Sequence, residues 1–320
     1  MGIKIIYSNI YYLCVIFTVY IMEEPKILSL NLILDAIKSD PVLSEGTSFY
    51  RENGLFVALG MDKVMRSFLR PQSPYLIDDY RCGMVLRGEL LGRINLIERH
   101  VTAGELVYIT PGSFVEPLEI SRDFCIHGIG MTRDVFHLVN RFDVPEIFKG
   151  EIKDGIREMS EEEIKLFGSL FHNLWELIHK QGCSQNTKYS MISTLLNYIN
   201  DLFKERNHEL PIHKPSANAI FDRFIYLVNM YAAKQHQLSF YAGKMCITDR
   251  YLGTVIRQVS GITAKEWVDR AVITCAKVML RHGSLQIAQI ADELNFPNPS
   301  FFCKYFKRLT GSTPLEYREG

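Results

Sequence analysis

The sequence predicts an α+β protein built from two unlike parts, a β-rich N-terminal part and an all-helical C-terminal part. Residues 50–131 contain short apolar runs separated by Gly, Pro and Asp, a pattern typical of a sandwich or barrel. From residue 217 onward the apolar positions follow helical spacing instead. The formal charge divides at the same place, because residues 216–320 hold 13 Lys and Arg against 8 Asp and Glu, whereas residues 1–215 hold 23 against 28.

The composition is that of a folded globular protein. The 320 residues are enough for two domains, and 47% of them are apolar and 22% charged, which excludes a disordered, collagen-like or polytopic membrane chain. The net charge of zero would argue against a nucleic-acid partner, but it is the sum of −5 in the N-terminal part and +5 in the C-terminal part. Seven scattered cysteines without a C-x-x-C pair fit a reducing compartment, so we expect a cytoplasmic protein.

An apolar extension, residues 1–22, precedes the first predicted domain. Its uncharged run of 18 residues, 5–22, is at the lower limit of a membrane span, and no small-x-small cleavage site of a signal peptide follows it. Three interpretations stay open: a sequence upstream of a true start at Met22, a disordered or packed extension, and a membrane anchor.

We assign residues 23–132 to a β domain. Its apolar runs are residues 54–60, 74–77, 81–88, 92–100, 104–112 and 124–130. The most regular part extends from Gly88 to Gly112 and contains a turn at residues 102–104 between two alternating segments. Strands at this spacing predict a barrel or sandwich.

Residues 133–207 are predicted to be helical. Ser160 and Glu163 form a capping box for a helix that begins at Glu161, and a second helix covers about residues 188–203. Both helices carry wide apolar stripes, which either pack on the chain's own barrel or form a dimer seam. Residues 208–216 contain two prolines and are predicted to be a linker.

Residues 217–320 are predicted to fold into seven short helices, and this segment contains an internal repeat. The helices are drawn at about 218–235, 238–245, 249–259, 264–281, 285–294, 299–309 and 314–318. Residues 50 positions apart correspond, as in the pairs Ile256 and Phe306, Gly261 and Gly311, and Glu266 and Glu316. Each repeat therefore reads as a helix, a short turn, a second helix, and a Gly-x-Thr stop followed by an aromatic residue.

Each repeat has the properties of a helix-turn-helix unit. A small residue in the first helix, Ala242 or Ala291, lets the second helix cross closely, and the second helix has an inward apolar stripe. Its outward positions are small or cationic: Arg250, Gly253, Thr254 and Arg257, then Pro299, Ser300, Cys303, Lys304 and Lys307. Such a face fits a major groove with phosphates at its flanks. The alternative is a helical bundle with a solvated basic face.

Residues 294–318, LNFPNPSFFCKYFKRLTGSTPLEYR, closely resemble the signature of AraC/XylS-type transcriptional regulators. The resemblance covers about residues 217–319 and is weaker in the first repeat. It implies two helix-turn-helix units in successive major-groove segments on one face of promoter DNA, with residues 264–281 holding their spacing. Asn295 stands where the family usually has Gly, and Asn tolerates the left-handed conformation at a helix end.

The resemblance also implies which side chains read DNA. The base-reading positions fall on Arg250, Gly253 and Thr254 in the first unit and on Pro299, Ser300, Cys303 and Lys304 in the second. Arg250 and Lys304 are expected to contact guanines, and Arg257, Lys307 and Arg308 are expected to bind phosphates. Phe302, Phe306, Trp267 and Tyr317 are expected in the core.

Next to such a domain, the β region resembles the cupin-like sensor barrel common in the family, with residues 104–113, GELVYITPGS, as the local match. Such barrels can hold a small-molecule effector. A metal is not expected, because His100 and His127 stand alone without a His-x-His motif, and no catalytic residues or cofactor are expected either. Arginines 87, 93 and 99 either pair with an anionic effector or are solvated.

The sequence thus predicts a transcriptional regulator, with RNA polymerase and a second copy of the chain as further expected partners. Two alternatives remain open, a cupin-type enzyme with an attached DNA-binding domain and a non-specific architectural DNA binder.

Overall fold

The computed structural model describes residues 48–61, 73–149, 154–204, 216–282 and 285–319, together with Ser29 and Pro71. The apolar run at 5–22 and all but the last residue of the predicted linker lie outside these residues. Among the described helices, none combines the length and the apolar character that a bilayer crossing requires. The described residues divide into two compact regions, one within Ile27–Val272 and one within Ile273–Gly320.

Ten strands and four helices form the described residues up to Lys204. The strands are β1 (Ser48–Glu52), β2 (Leu55–Met61), β3 (Tyr75–Leu76), β4 (Tyr80–Arg87), β5 (Glu89–Ile94), β6 (Ile97–Thr102), β7 (Glu105–Ile109), β8 (Phe114–Ile120), β9 (Cys125–Met131) and β10 (Asp154–Glu158). The helices are α1 (Arg133–Val139), α2 (Glu146–Lys149), α3 (Glu161–His179) and α4 (Gln185–Lys204).

The strands make two antiparallel sheets, as the alternating apolar runs predict. One sheet has the order β1-β2-β9-β4-β7-β10 and the other the order β3-β8-β5-β6. A core of apolar side chains contributed by both sheets includes Phe56, Tyr75, Val85 and Val115. The predicted β fold of the N-terminal part is therefore confirmed, and the term barrel denotes these two packed sheets.

The predicted strand at 92–100 is wrong, because the chain reverses in its middle. Asn95 and Leu96 have φ angles of 49° and 72°, which is the left-handed pair that closes a tight hairpin between β5 and β6. Asn adopts this conformation readily, whereas Leu rarely does, so Leu at this position does not predict a turn. Leu96 is only 6% exposed. Because this buried turn residue is apolar, the strand-like alternation in the sequence continues through the turn.

Three strands have no counterpart in the predicted set: β1, β8 and β10. Pro117 interrupts the pattern of β8, and its position opposite Gly92 coincides with a shift in register against β5. Strand β10 follows two helices, yet it pairs with β7, so the sheet continues past the predicted end of the β domain at residue 132. Its partner was not evident from the local sequence.

Helices α3 and α4 cover the outer face of the six-stranded sheet. Their buried side chains include Phe167, Phe171, Leu195 and Ile199, and these pack with sheet residues such as Leu106. Most of the stripe residues thus pack within the chain, as in the first of the two predicted alternatives, whereas Leu166 of α3 remains 50% exposed. The predicted capping box is confirmed, since Ser160 Oγ accepts from Glu163 N–H and the Glu163 carboxylate accepts from Ser160 N–H.

The described residues from 216 onward form seven helices, as predicted. They are α5 (Ala217–Tyr231), α6 (Leu238–Lys244), α7 (Asp249–Ser260), α8 (Ala264–His282), α9 (Ile287–Glu293), α10 (Pro299–Thr310) and α11 (Pro314–Glu319). Helix α5 ends four residues before its predicted end at 235. The Tyr241 hydroxyl donates to the carbonyl of Gln235 at 2.6 Å and holds this segment in a turn.

Candidate nucleic-acid interface

The first helix-turn-helix unit consists of α6, the turn at residues 245–248 and the recognition helix α7. Ala242 is fully buried, and its carbonyl accepts from Ile247 N–H at 3.1 Å across the turn. Cys246 between them has φ 55°, the left-handed conformation that ends α6. Thr248 Oγ1 then accepts from Tyr251 N–H at 3.2 Å, which fixes the first turn of α7.

The second unit, built from α9, the turn at residues 294–298 and the recognition helix α10, repeats this geometry. The Ala291 carbonyl accepts from Phe296 N–H at 2.9 Å, and Asn295 also has φ 55°. Asn298 Oδ1 accepts from Phe301 N–H at 3.0 Å, and Pro299 occupies the first helical position. The repeat found in the sequence is therefore also a repeat of backbone conformation, and Asn295 takes the left-handed role expected of it.

Both recognition helices end in the same way. Gly261 and Gly311 have φ angles of 76° and 83°, and their N–H groups each donate to the carbonyl four residues earlier at 2.9 Å. A Thr and a Glu follow each glycine and exchange two hydrogen bonds, Thr263 with Glu266 and Thr313 with Glu316. Because the sequence sets both ends of each helix, it also sets which side chains face outward.

The inward faces are apolar, as predicted. Leu252 and Ile256 on α7 and Phe302 and Phe306 on α10 are fully buried. Trp267 is buried, and half-buried Tyr317 has its ring 5.7 Å from that of Phe306. Leu309 continues the apolar spacing of α10, yet it is 42% exposed in the last turn of this helix.

The outward face of α7 carries the residues predicted for the first unit. Arg250, Thr254 and Arg257 are exposed. The Thr254 hydroxyl donates to the Arg250 carbonyl at 2.9 Å, so its oxygen still offers lone pairs to a base donor. Apart from its two chain neighbours and the adjacent backbone of α7, no atom of the described residues lies within 4 Å of the point where a Cβ would stand at Gly253, which leaves room for close approach of another molecule.

The outward face of α10 is more cationic. Pro299, Ser300, Lys304 and Lys307 are exposed, and Cys303 is half-buried. Exposed Arg308 stacks its guanidinium 5.4 Å from the ring centre of Tyr305, a cation–π contact that holds the charge near the helix surface. The ten predicted positions therefore lie on the two recognition helices, eight of them exposed and two half-buried.

Two large side chains on these helices were missed by the sequence interpretation. Tyr251 is 50% exposed and Phe301 is 61% exposed. They stand 50 positions apart, so the internal repeat was the signal that could have singled them out.

Three of the residues considered for an anionic effector or a metal pair with carboxylates of the same N-terminal part. Arg93 pairs with Glu116 at 2.9 Å, and Arg99 lies 3.8 Å from Asp154. His100 contacts Glu89 at 2.8 Å. Within the described part of the chain, no three His, Cys, Asp or Glu side chains come together as they would around a metal ion. Arg87 is exposed at the end of β4.

Residues 241–320 match a family described as "Helix-turn-helix domain". The arabinose operon regulatory protein of Escherichia coli (strain K12) is 25% identical over 152 residues, which are 47% of this chain and 51% of that protein. The transcriptional activator RhaR of Cronobacter sakazakii is 35% identical over 85 residues, 27% of this chain and 29% of the relative. The C-terminal domain is an AraC-type helix-turn-helix domain.

Outside the AraC-type domain the similarity is weaker. The chain spans about half the length of the first of these relatives, at 51%. Among solved structures, fatty-acid-bound ToxT from Vibrio cholerae is 17% identical, with 84% of this chain and 97% of that chain covered at a TM-score of 0.38.

Proposed function

We propose that the chain is a sequence-specific DNA-binding regulator of transcription. The observation that carries the proposal is the pair of recognition helices α7 and α10, which share their caps and stops and present small and cationic side chains outward. A helix of this kind enters the major groove with its N-terminal residues at the base edges. The names of the similar proteins, an operon regulator and a transcriptional activator, support the same function.

The proposed roles follow the chemistry of each side chain. Arg250 and Lys304 donate to the O6 and N7 atoms of guanine, and Thr254 and Ser300 exchange hydrogen bonds with neighbouring bases. Gly253, Pro299 and Cys303 are small and allow the helices to lie deep in the groove. Arginines 257 and 308 and Lys307 bind phosphates at the flanks, which sets position and affinity without reading sequence.

The N-terminal part is the proposed regulatory part. In this proposal the N-terminal sheets, which begin in the segment predicted at 23–132 and continue to β10, form a cupin-like domain that binds a small-molecule effector. The helices within residues 133–207 support it, and residues 208–216 link it to the DNA-binding domain at 217–320. An effector acts by favouring one of two conformations of the chain. The proposed partners are promoter DNA, RNA polymerase and a second copy of the chain, and the proposed location is the cytoplasm, with no catalytic role, metal or cofactor.

The test is selection of binding sites from a pool of random-sequence duplexes by the purified full-length chain, followed by footprinting on the selected sequence. We expect one recurring sequence with two separated protected segments, and binding at least 1,000-fold tighter than to unselected duplex, roughly the lower end of specific recognition. Protection of every duplex without a preferred sequence would make the chain an architectural binder. Stoichiometric bound metal together with substrate turnover would favour the enzyme instead.

A further inference from the structure

Two exposed aromatic rings occupy the same place in the two helix-turn-helix units. Tyr251 and Phe301 are the third residues of α7 and α10, and they are 50% and 61% exposed. A single exposed aromatic residue on a protein surface needs no explanation. Two at equivalent positions of a repeat, both in the first turn of the helix proposed to read DNA, call for a shared cause.

The N-caps of α7 and α10 fix the backbone position from which each aromatic side chain extends. The N–H of Tyr251 donates to Thr248 Oγ1, and the N–H of Phe301 donates to Asn298 Oδ1. These caps hold the first helical turn in one conformation, so the Cα–Cβ bond of each aromatic residue has a defined direction. The first turn of a recognition helix is the part that comes nearest to the base edges.

The outward neighbours show which side of the helix the rings share. Residues three apart lie next to each other on a helix, so Phe301 stands beside Lys304 and Tyr251 stands beside Thr254. Lys304 and Thr254 are exposed members of the outward face. The rings therefore flank the hydrogen-bonding positions on the surface that meets the groove.

An exposed aromatic ring that enters the major groove can pack on an apolar group, and the base edges offer one. The 5-methyl group of thymine projects into the groove, whereas the other base-edge groups there are hydrogen-bond donors and acceptors. We propose that Tyr251 and Phe301 each pack their ring on the 5-methyl group of one thymine, so that each unit reads a thymine in addition to its hydrogen-bonded bases. This inference rests on the proposed function and names a further base that the same surface recognises.

The position of each thymine relative to the other bases follows from the helix geometry. Because Phe301 lies beside Lys304, its thymine neighbours the guanine assigned to Lys304. The thymine of Tyr251 correspondingly lies next to the base assigned to Thr254. A selected binding sequence should therefore carry one such thymine in each half.

The experiment removes the methyl group from the DNA and the ring from the protein separately. The full-length chain selects a binding duplex from a random pool, and each thymine in that duplex is then replaced, one at a time, by deoxyuridine, which lacks only the 5-methyl group. At one position per half, we expect binding to weaken about fourfold, the factor given by loss of one buried methyl group. Phe301→Ala should abolish the difference between thymine and deoxyuridine at one of these positions, and Tyr251→Ala at the other.

Matched variants control for indirect effects. Tyr251→Phe keeps the ring and should preserve the thymine-to-deoxyuridine ratio, which separates a ring contact from a hydroxyl contact. Both aromatic side chains are largely exposed, so their alanine variants should keep the urea midpoint of the parent chain, and the deoxyuridine series on the parent chain needs no variant at all.

The possible outcomes separate a failure of this inference from a failure of the proposed function. If a preferred duplex is selected but no thymine-to-deoxyuridine change weakens binding, the inference is wrong and the regulator proposal stands. If the methyl effect persists in both alanine variants, other residues read the methyl groups and the assignment to the rings is overturned. If no duplex is preferred, both the proposed function and this inference fail.

Discussion

The barrel and the helix-turn-helix region differ in how far along the sequence their polar contacts reach. In the barrel and its helices, Lys188 donates to Tyr50 at a separation of 138 residues, and Asn95 donates to Asp154 at a separation of 59. In the described residues from 216 onward, most polar side-chain contacts are caps and turns within a few residues, such as Thr313 with Glu316. The barrel therefore depends on partners that are distant in the sequence, whereas the helix-turn-helix region depends on hydrogen bonds between residues close in the sequence.

Asn95 shows what a long-range polar contact contributes in the barrel. It is 2% exposed and has φ 49° in the β5–β6 turn. Its Oδ1 accepts from Phe114 N–H at 3.0 Å, and its Nδ2 donates to Asp154 Oδ1 at 2.6 Å and to Ser113 Oγ at 3.3 Å. Burial raises the pKa of the Asp154 carboxyl, which makes the amide donor more important to it.

The first and largest predicted effect compares two asparagines in the left-handed conformation. Asn95→Ala should lower the free energy of unfolding by about 3 kcal/mol, because it leaves buried polar groups unpaired and adds backbone strain. Asn295→Ala, in the exposed turn of the second unit, should lower it by about 1 kcal/mol through backbone strain. Urea unfolding of the full-length chain gives both values.

Asn295→Gly is the matched control, since glycine takes the left-handed conformation without strain, and it should not destabilise the chain. Equal losses for Asn95→Ala and Asn295→Ala would contradict the distinction between the two parts of the molecule.

The same distinction explains how well the fold could be predicted from the sequence. The helices after residue 216 have their periodicity, N-caps and glycine stops within a few residues of each other, so their order and approximate bounds follow from local patterns. Strands β8 and β10 pair with partners that local sequence does not reveal, and Pro117 in β8 even argues against a strand. The hairpin turn between β5 and β6 was also not predicted. A buried apolar residue, Leu96, occupies this turn, so the local pattern favoured a continuous strand there.

The candidate interface was predicted in part. The sequence interpretation placed ten residues on the two recognition helices, and eight of them are exposed there. Tyr251 and Phe301 were missed, because each directly precedes a residue of the inward apolar stripe, Leu252 and Phe302, and is itself aromatic. The inward position of Phe302 was expected from the sequence, whereas the exposure of the residue before it, and of the residue before Leu252, is seen only in the folded helices.

A second prediction tests whether an exposed residue of a recognition helix contributes to DNA binding without contributing to the free energy of unfolding. Lys304→Ala should weaken binding to the selected duplex by about 1–3 kcal/mol and relax the preference at one base pair, because a guanine contact is lost. Thr254→Ala, at the equivalent position of the first unit, should have a smaller effect. Fluorescence anisotropy at one fixed salt concentration measures both.

The unfolding free energy of the Lys304→Ala chain should match the parent value within about 0.5 kcal/mol, as for an exposed surface position. An unchanged base preference in this variant would refute the role assigned to Lys304.

A third prediction compares cations from the two parts of the molecule. Lys307→Ala should reduce the slope of log binding constant against log salt by about one, because one phosphate contact is lost. Arg87→Ala removes an exposed cation of the barrel instead. If DNA contacts only the helix-turn-helix region, this barrel variant should leave the slope unchanged. A reduced slope for Arg87→Ala would show that the barrel also lies against DNA.

His127 provides the smallest predicted effect, a dependence of stability on pH that arises in the barrel. Its Nδ1 accepts from Gly60 N–H at 3.0 Å, and its ring stacks on Phe171 with centres 5.5 Å apart. Burial lowers the pKa of His127 below its ordinary value of 6.5. A protonated ring would lose the Nδ1 acceptor and carry a charge against an apolar neighbour.

The sign of the effect follows from proton binding in the two states. Because the pKa of His127 is lowered in the fold, the unfolded chain binds more protons near and below pH 6.5, so the free energy of unfolding falls as the pH decreases through that range. His127→Gln keeps an acceptor for Gly60 but does not titrate, and its urea stability should fall less than that of the parent chain between pH 7 and 5. The difference between the two curves isolates His127 from the other titrating groups, and parallel curves would assign the pH dependence to residues other than His127.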